Sequence, residues 1–425
     1  MNYHYHTLRN GLRVGIVPMK EAGIITIIFM VNAGSRLDRK EHSGVAHFTE
    51  HMLFKGTKKR AGVAEIEREI EQVGGSFNAF TTKEFTWFSI KILKKDIARA
   101  FDVMSDMLSN PLFSEDQIKK ERRVILEERH IYNDSPQDMV DDLFHKCLYH
   151  KHPLARPIVG MDKSINNIEK KHIASFFKRY YGAKNSTLAI AGDITDQEGL
   201  HLAKHFFSAI RSGKKRPRNK IYRAHSTPSI HIKHQASEQV HIALGVPAYD
   251  IKHPDHHVCK VIALLLGGNM STRLFIQLRE ELGLVYDVLT VAEAKKISGY
   301  LVTFTGTEKN KLERTISLIV DAYKTLKTEK VPTKELEMAK GFLADKKRIS
   351  FEDSYLVAMD IAKRIIFDKN EKNIQEYQKE IKKITADDIL RVAQKIFTAD
   401  KINIALVGPI DNIQKRRVKQ LLSAL

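Results

Sequence analysis

Residues 168–194 read IEKKHIASFFKRYYGAKNSTLAIAGDI, and residues 384–410 read ITADDILRVAQKIFTADKINIALVGPI. Aligned without a gap, they pair Ile173 with Ile389, Tyr181 with Phe397, Ala189 with Ala405 and Gly192 with Gly408. Each stretch opens with apolar residues at helical spacing and passes into an apolar run, the pattern of an amphipathic helix feeding a buried strand. One such unit near the end of each half points to a single fold used twice. Each half also begins with strand-like runs: LRVGIVPM (12–19) and GIITIIFMVNAG (23–34) in the first, SIHIKH (229–234) and QVHIALGVPA (239–248) in the second. Long amphipathic helices lie between. The expectation is an α+β protein of two homologous domains, each a mostly antiparallel sheet with helices packed on one face.

A chain of 425 residues is too long for one ordinary core and suits two domains of about 200 residues each. The stretch RSGKKRPRNKIYRAHSTPS (211–229) is basic, holds Pro217 and Pro228, and lacks helical or strand periodicity, as an exposed connector does. The expected division is an N-terminal domain over 1–211, a basic linker over 212–228 and a C-terminal domain over 229–425.

Composition narrows the class further. Hydrophobic content of 43% with 28% charged residues is globular. No run of about 18 apolar residues is present to span a membrane. The start, MNYHYHTLRNGLRVGIVPMK, lacks the apolar core and cleavage site of a signal peptide, and Cys147 and Cys259 lie in different halves, so no disulfide framework is expected. The cytoplasm is the default compartment. The net charge of +19 would suit an anionic partner, but the basic residues are spread along helices in Lys-Lys and Lys-Glu mixtures. No nucleic-acid-binding signature accompanies them, so neither nucleic acid nor membrane is expected as a partner.

Chemistry enters with His47-Phe48-Thr49-Glu50-His51, inside SGVAHFTEHMLFKG (43–56). On a helix the two histidines stand about 40° apart, with Glu50 about 60° to the other side of His47. Two imidazoles can hold Zn²⁺ while a carboxylate off the metal takes a proton from its water. The bland alternative is a polar helix face in a chain with 19 histidines. A third ligand is needed, and SEDQIKKERRVILEERHIYND (114–134) offers Glu121 and Glu128, seven residues apart and on one helical face. One could bind the ion and the other hold a histidine ligand from behind. Glu127 lies round the helix and reads as solvated. The second copy places Ile262, Leu265 and Leu266 opposite His47, Glu50 and His51, and Ala339 and Lys346 opposite Glu121 and Glu128. The architecture therefore does not require these polar residues, and burying them without a partner would be costly. The other histidine groups, His4 with His6, His150 with His152, and His253 with His256 and His257, lack carboxylates at ligand spacing.

With both segments in view, the chain resembles the pitrilysin or insulin-degrading type of zinc metallopeptidases, the inverzincins with H-x-x-E-H, in the branch of bacterial processing peptidases. That resemblance implies His47, His51 and Glu128 as ligands of one zinc per chain, Glu50 as general base and Glu121 behind a ligand. GGSFNAFTTKEFTWFSI (74–90) resembles the family's substrate-binding edge strand, with Asn78 and Ala79 as its Asn-Ala pair. GGNMSTRLFIQLREELGLVYDV (267–288) resembles the stretch carrying an arginine and tyrosine pair, here Arg279 and Tyr286. A guanidinium and a phenol can both donate to a peptide carbonyl and its oxyanion. The implied activity is hydrolysis of peptides or unfolded segments. The implied assembly is a homodimer whose active site is completed in trans, or a heterodimer with a related chain. The competing readings are a non-catalytic structural subunit of the same family, resembling the core proteins of a respiratory complex, and a basic nucleic-acid-binding protein.

Overall fold

The computed structural model describes residues 3–20, 23–215, 221–222, 228–368 and 374–423. It contains two sheets, each in its own compact unit. The first sheet is built from β1 (His4–Thr7), β2 (Arg13–Pro18), β3 (Ile24–Val31), β4 (Ser76–Thr81), β5 (Thr86–Leu93) and β6 (Ser186–Gly192), in the order β1-β2-β6-β3-β5-β4. The second is built from β7 (Ser229–His234), β8 (Gln239–Ala248), β9 (Val285–Ala294), β10 (Gly299–Glu308) and β11 (Asn403–Gly408), in the order β7-β11-β8-β10-β9. Apart from the parallel pairs β2 with β6 and β7 with β11, the ladders are antiparallel.

Strand for strand, the two orders match once β1 is set aside, and the repeated stretch explains why. Its first copy forms the helix Lys170–Tyr180 and then β6; its second forms the helix Ala386–Ile396 and then β11. Both strands end on a glycine with positive φ, Gly192 at 137° and Gly408 at 152°. A Cβ on Gly192 would stand 2.1 Å from the Ile24 carbonyl oxygen, so the close approach of β3 requires glycine there.

Alternation along β3 separates two faces. Ile25, Ile27, Phe29 and Val31 join the main core with residues of the helices Val45–Leu53, Ile97–Ser109, Lys170–Tyr180 and Asp196–Phe207. The intervening Ile28 and Met30 are equally buried, on the other face, where Thr26 Oγ1 lies 2.8 Å from Ser354 Oγ. That face is covered by the helix Ser354–Phe367, which comes from the second half of the sequence. The second unit mirrors this. Val240, Ile242, Leu244 and Val246 face its main core, while Ala243, Val302, Ala405 and Val407 pack with Phe144, Cys147 and Leu148 of the helix Pro136–Tyr149, from the first half.

The compact units therefore differ from the halves read along the chain. Unit 1 comprises 1–130, 156–218 and 347–374; unit 2 comprises 131–155, 219–346 and 375–425. An apolar sheet has two faces to bury, and its own helices cover one of them. The other takes a helix lent by the opposite half, which adds a back layer to the expected packing. Of the connector 212–228, residues 216–220 and 223–227 lie outside the described residues, while the Tyr222 ring meets that of Tyr149 edge to face and that of His152 at a tilt, in unit 2. Both cysteines are buried and unpaired. Among the described residues, no helix is long and apolar enough to cross a membrane.

Candidate active site

The zinc-motif residues lie on the helix Val45–Leu53, whose entry is built with care. Gly44 precedes it in a left-handed conformation, φ 99°, and a Cβ there would meet the Val159 carbonyl oxygen at 2.3 Å. The buried Asp38 carboxylate accepts hydrogen bonds from the Gly44 N–H at 2.7 Å and the Ala46 N–H at 3.3 Å. Burial pushes its carboxyl up to about 8 against the pull of these donors and of Arg156. The first amides of the helix thus have an acceptor, which holds the helix where its third residue, His47, faces inward.

Glu128 meets this helix from Glu115–Asp134. His47 Nε2 and His51 Nε2 are 3.2 Å apart, His47 Nε2 is 3.5 Å from Glu128 Oε1, and His51 Nε2 is 3.6 Å from Glu128 Oε2. With metal–ligand bonds of about 2.0–2.2 Å, two ligands of a tetrahedral ion stand about 3.3–3.6 Å apart. The three side chains therefore converge closely enough to share one zinc-sized cation, each of the two Glu128 oxygens facing a different imidazole. Among the described residues, no other group of three or more His, Cys, Asp or Glu side chains converges this way.

Electrostatics divide the two histidines. His47 is held well below its usual range by burial and then by its neighbour His51, so it is neutral and ready to ligate. Its Nδ1 is buried and has no hydrogen-bond partner among the described residues. Burial also acts downward on His51, but the hydrogen bond to Glu121 and the charges of Glu50, Glu121 and Glu128 outweigh it and raise its pKa. His51 Nδ1 donates to Glu121 Oε1 at 2.7 Å, which leaves its Nε2 lone pair facing the other ligands. Burial acts upward on Glu121, yet His51 and Lys55 together hold it ionised, Lys55 Nζ lying 2.7 Å from Oε2. Glu128 is pushed up by burial, with His51 opposing.

Glu50 sits beside this cluster and outside the ligand set. Burial pushes its carboxyl up to about 7, against a hydrogen bond donated by Thr81 Oγ1 to Oε2 at 2.5 Å. Thr81 ends β4, which lies at the edge of its sheet. Along β4, Phe77 and Ala79 pack inward against the core, while Asn78 and Phe80 point outward, Phe80 being 50% exposed. The Ala79 N–H donates to the side chain of Asn78 itself at 2.8 Å.

Arg279 and Tyr286 lie in unit 2. The segment carrying them starts as an α-helical turn at Arg273–Phe275 and widens into a π-helical stretch over Ile276–Glu281, a local distortion common at functional sites. The Arg279 guanidinium lies 5.0 Å from the centre of the Tyr286 ring and 4.9 Å from that of Phe275. Tyr286 is 79% exposed, at the start of β9. It also lines a cavity of about 530 Å³ with Asp141, His241, Asp287 and Phe304. In the position where unit 1 has its polar cluster, unit 2 has buried Ile262, Leu265, Leu266 and Ala339, and the Lys346 ammonium lies over the Phe342 ring.

Two residues next to the cluster escape a reading of spacing alone. Lys55 lies two residues beyond the end of the motif helix, where helical spacing no longer fixes a direction, yet its ammonium reaches Glu121. Thr81 follows Phe77 and Ala79 in the inward phase of β4, where a hydroxyl is out of place unless it has a partner.

Comparison with known proteins places the chain in a wider group. The family described as Insulinase (Peptidase family M16) matches residues 18–162, and Peptidase M16 inactive domain matches residues 167–343. The chain is 31% identical over 417 residues to an uncharacterized zinc protease of Rickettsia felis, covering 96% of this chain and 98% of that one. It is 30% identical over 412 residues to an uncharacterized zinc protease of Bacillus subtilis, with the same shares. In fold it is similar to the crystal structure of a protease from Helicobacter pylori, with a TM-score of 0.90 at 24% identity, over 96% of this chain and 99% of that one.

Proposed function

Because this chain belongs to the insulinase family of peptidases, peptidase family M16, we propose that it is a zinc-dependent endopeptidase acting on peptides and unfolded segments, in the manner of the processing peptidases. The observation that carries the reading is the convergence of His47, His51 and Glu128 within reach of one cation, with Glu50 beside them and outside the set. His47 Nε2, His51 Nε2 and a Glu128 oxygen would hold one zinc per chain. When bound, the ion lowers the pKa of a water and polarises the substrate carbonyl.

The chain's own residues supply the remaining steps. Glu50, with a proton affinity near neutrality, takes the proton of the attacking water and delivers it to the leaving amine. Glu121 fixes the His51 ring, and Lys55 keeps Glu121 ionised. An extended peptide adds to the free edge of β4 along Asn78 and Ala79. The exposed Tyr286 hydroxyl and the Arg279 guanidinium donate to the carbonyl oxygen as it gains charge. These two act in trans from a partner chain in a homodimer or a mixed dimer, and the protein works in the cytoplasm.

The rival reading, a structural subunit without catalysis, predicts a damaged site. Here the ligand trio, the base and the carboxylate behind His51 are all present. The test is cleavage of an unfolded peptide library, with products mapped by mass spectrometry and zinc measured by elemental analysis. The expected result is about one zinc per chain and cleavage that disappears on exhaustive chelation and returns with Zn²⁺. Protein without transition metal, or undiminished cleavage after chelation, would sink the proposal.

A further inference from the structure

A general base must present one oxygen to the water it activates, and a carboxylate free to rotate presents it only part of the time. Thr81 Oγ1 lies 2.5 Å from Glu50 Oε2 and 3.2 Å from Thr86 Oγ1. Each threonine has a single hydroxyl hydrogen. Thr86 donates its own to the Ala33 carbonyl oxygen at 3.0 Å, so it cannot also donate to Thr81. The Thr81 hydrogen therefore goes to Glu50 or to Thr86, and the closer carboxylate oxygen takes it. Thr81 and Thr86 are fully buried, which keeps water from competing for either hydroxyl. Glu50 Oε1 has no hydrogen-bond partner among the described residues.

We infer that Thr81 is a positioning residue for Glu50: its hydroxyl, oriented by the Thr86–Ala33 bond, holds Oε2 and leaves Oε1 as the working oxygen. This rests on the peptidase reading above. It also links two parts of the site, because Thr81 is the last residue of β4. The strand offered to the substrate is then the strand that aligns the base.

Three substitutions test it in the full-length, zinc-loaded protein. Thr81→Val keeps the shape and removes the hydroxyl, Thr81→Ser keeps the hydroxyl, and Thr81→Ala serves if valine prevents folding. The readouts are zinc content, kcat and KM on one unfolded peptide, and crystal structures of the variants and the unchanged protein. The expected result for Thr81→Val is unchanged zinc content, a KM close to the original, a kcat lower by about 10- to 100-fold, and a Glu50 carboxylate turned from its original position. Thr81→Ser should regain most of the kcat. An unaltered kcat with Glu50 in place, a serine variant as impaired as the valine one, or loss of zinc from Thr81→Val would each overturn the inference. If the unchanged protein cleaves no peptide, the peptidase reading falls, and the position of Glu50 in the crystal structures alone decides: turned in the valine variant upholds the positioning role, unmoved overturns it.

Discussion

Within eight residues of one another, His47, Glu50, His51 and Lys55 meet different surroundings: burial holds His47 neutral, Glu50 accepts from Thr81, and His51 and Lys55 both contact Glu121. Glu50→Gln keeps the size of the side chain and removes its basicity. Turnover is expected to fall by about 10²- to 10⁴-fold while zinc content stays the same, and a variant that loses its metal would make Glu50 a ligand instead. His51 should set how metal binding responds to pH. Its pKa is raised in the folded chain, so in the metal-free protein the His51⁺–Glu121⁻ pair contributes stability that is fully present below the unfolded value of about 6.5 and is lost as pH rises through the folded value. Zinc needs the unprotonated ring, so affinity should be at its plateau above the folded value and weaken as pH falls through it. Glu121→Gln removes the hydrogen-bonded carboxylate that does most to hold that proton, while Glu50 and Glu128 remain. It should weaken zinc binding at the plateau by about 10- to 100-fold and move the onset of acid loss to lower pH, both read by competition with a fluorescent chelator across the pH range. An unshifted onset would count against Glu121 as the source of the raised pKa. The pairing of the two histidines with Glu50 was legible in the sequence because helical spacing carries angular information, whereas spacing left Glu121 and Glu128 as alternatives and only the family resemblance pointed to Glu128. Lys55 and Thr81 were not legible, because their roles depend on which buried oxygen lies within reach.

At the scale of elements, the repeat that opened the reading reappears as a matching strand order and as Gly192 and Gly408 at equivalent strand ends. Periodicity marked β2, β3, β6, β7, β8, β11 and the motif helix; it read β4 and β5 as one strand and left β1, β9 and β10 unnamed. It did not assign the back layer, since Ser354–Phe367 and Pro136–Tyr149 are apolar enough to belong to either core. The lent helix leads to a test remote from the site in sequence. A Cβ on Gly15 would lie 2.5 Å from Ile361 Cγ2, so β2 is seated directly against that helix. Ile361→Asp buries an unpaired carboxylate there and should cost several kcal/mol, about the penalty of an uncompensated polar group in a core. Hydrogen exchange should accelerate in β2, β3 and β6, strands of the first half, although the substitution is in the second. Faster exchange confined to β7–β11 would contradict the assignment of this helix to unit 1.

For the whole molecule, the decisive question is whether one chain completes its own site. Glu50→Gln and Tyr286→Phe are each expected to be nearly inactive alone. If Arg279 and Tyr286 act on the partner's cluster, a mixed dimer has one site with both defects and one with neither. Random subunit exchange then makes about half the dimers mixed and restores up to about a quarter of the original activity. If the pair acts within its own chain, every site keeps a defect and mixing restores nothing, so an absence of recovery despite exchange proven by mass-tagged subunits would end the trans model. Local order was open to reading from the chain alone: strands, helices, the duplication, the metal motif and the lack of its counterpart in the second copy all follow from residue type at fixed spacing, since backbone geometry repeats over a few residues. Tertiary structure decided what spacing cannot encode. It chose which half covers each sheet's back face, placed Glu128 at ligand distance from both histidines, and turned a threonine and a lysine toward two buried carboxylates. Those outcomes depend on contacts between residues up to hundreds of positions apart, where burial and partner geometry, rather than local periodicity, set the energy.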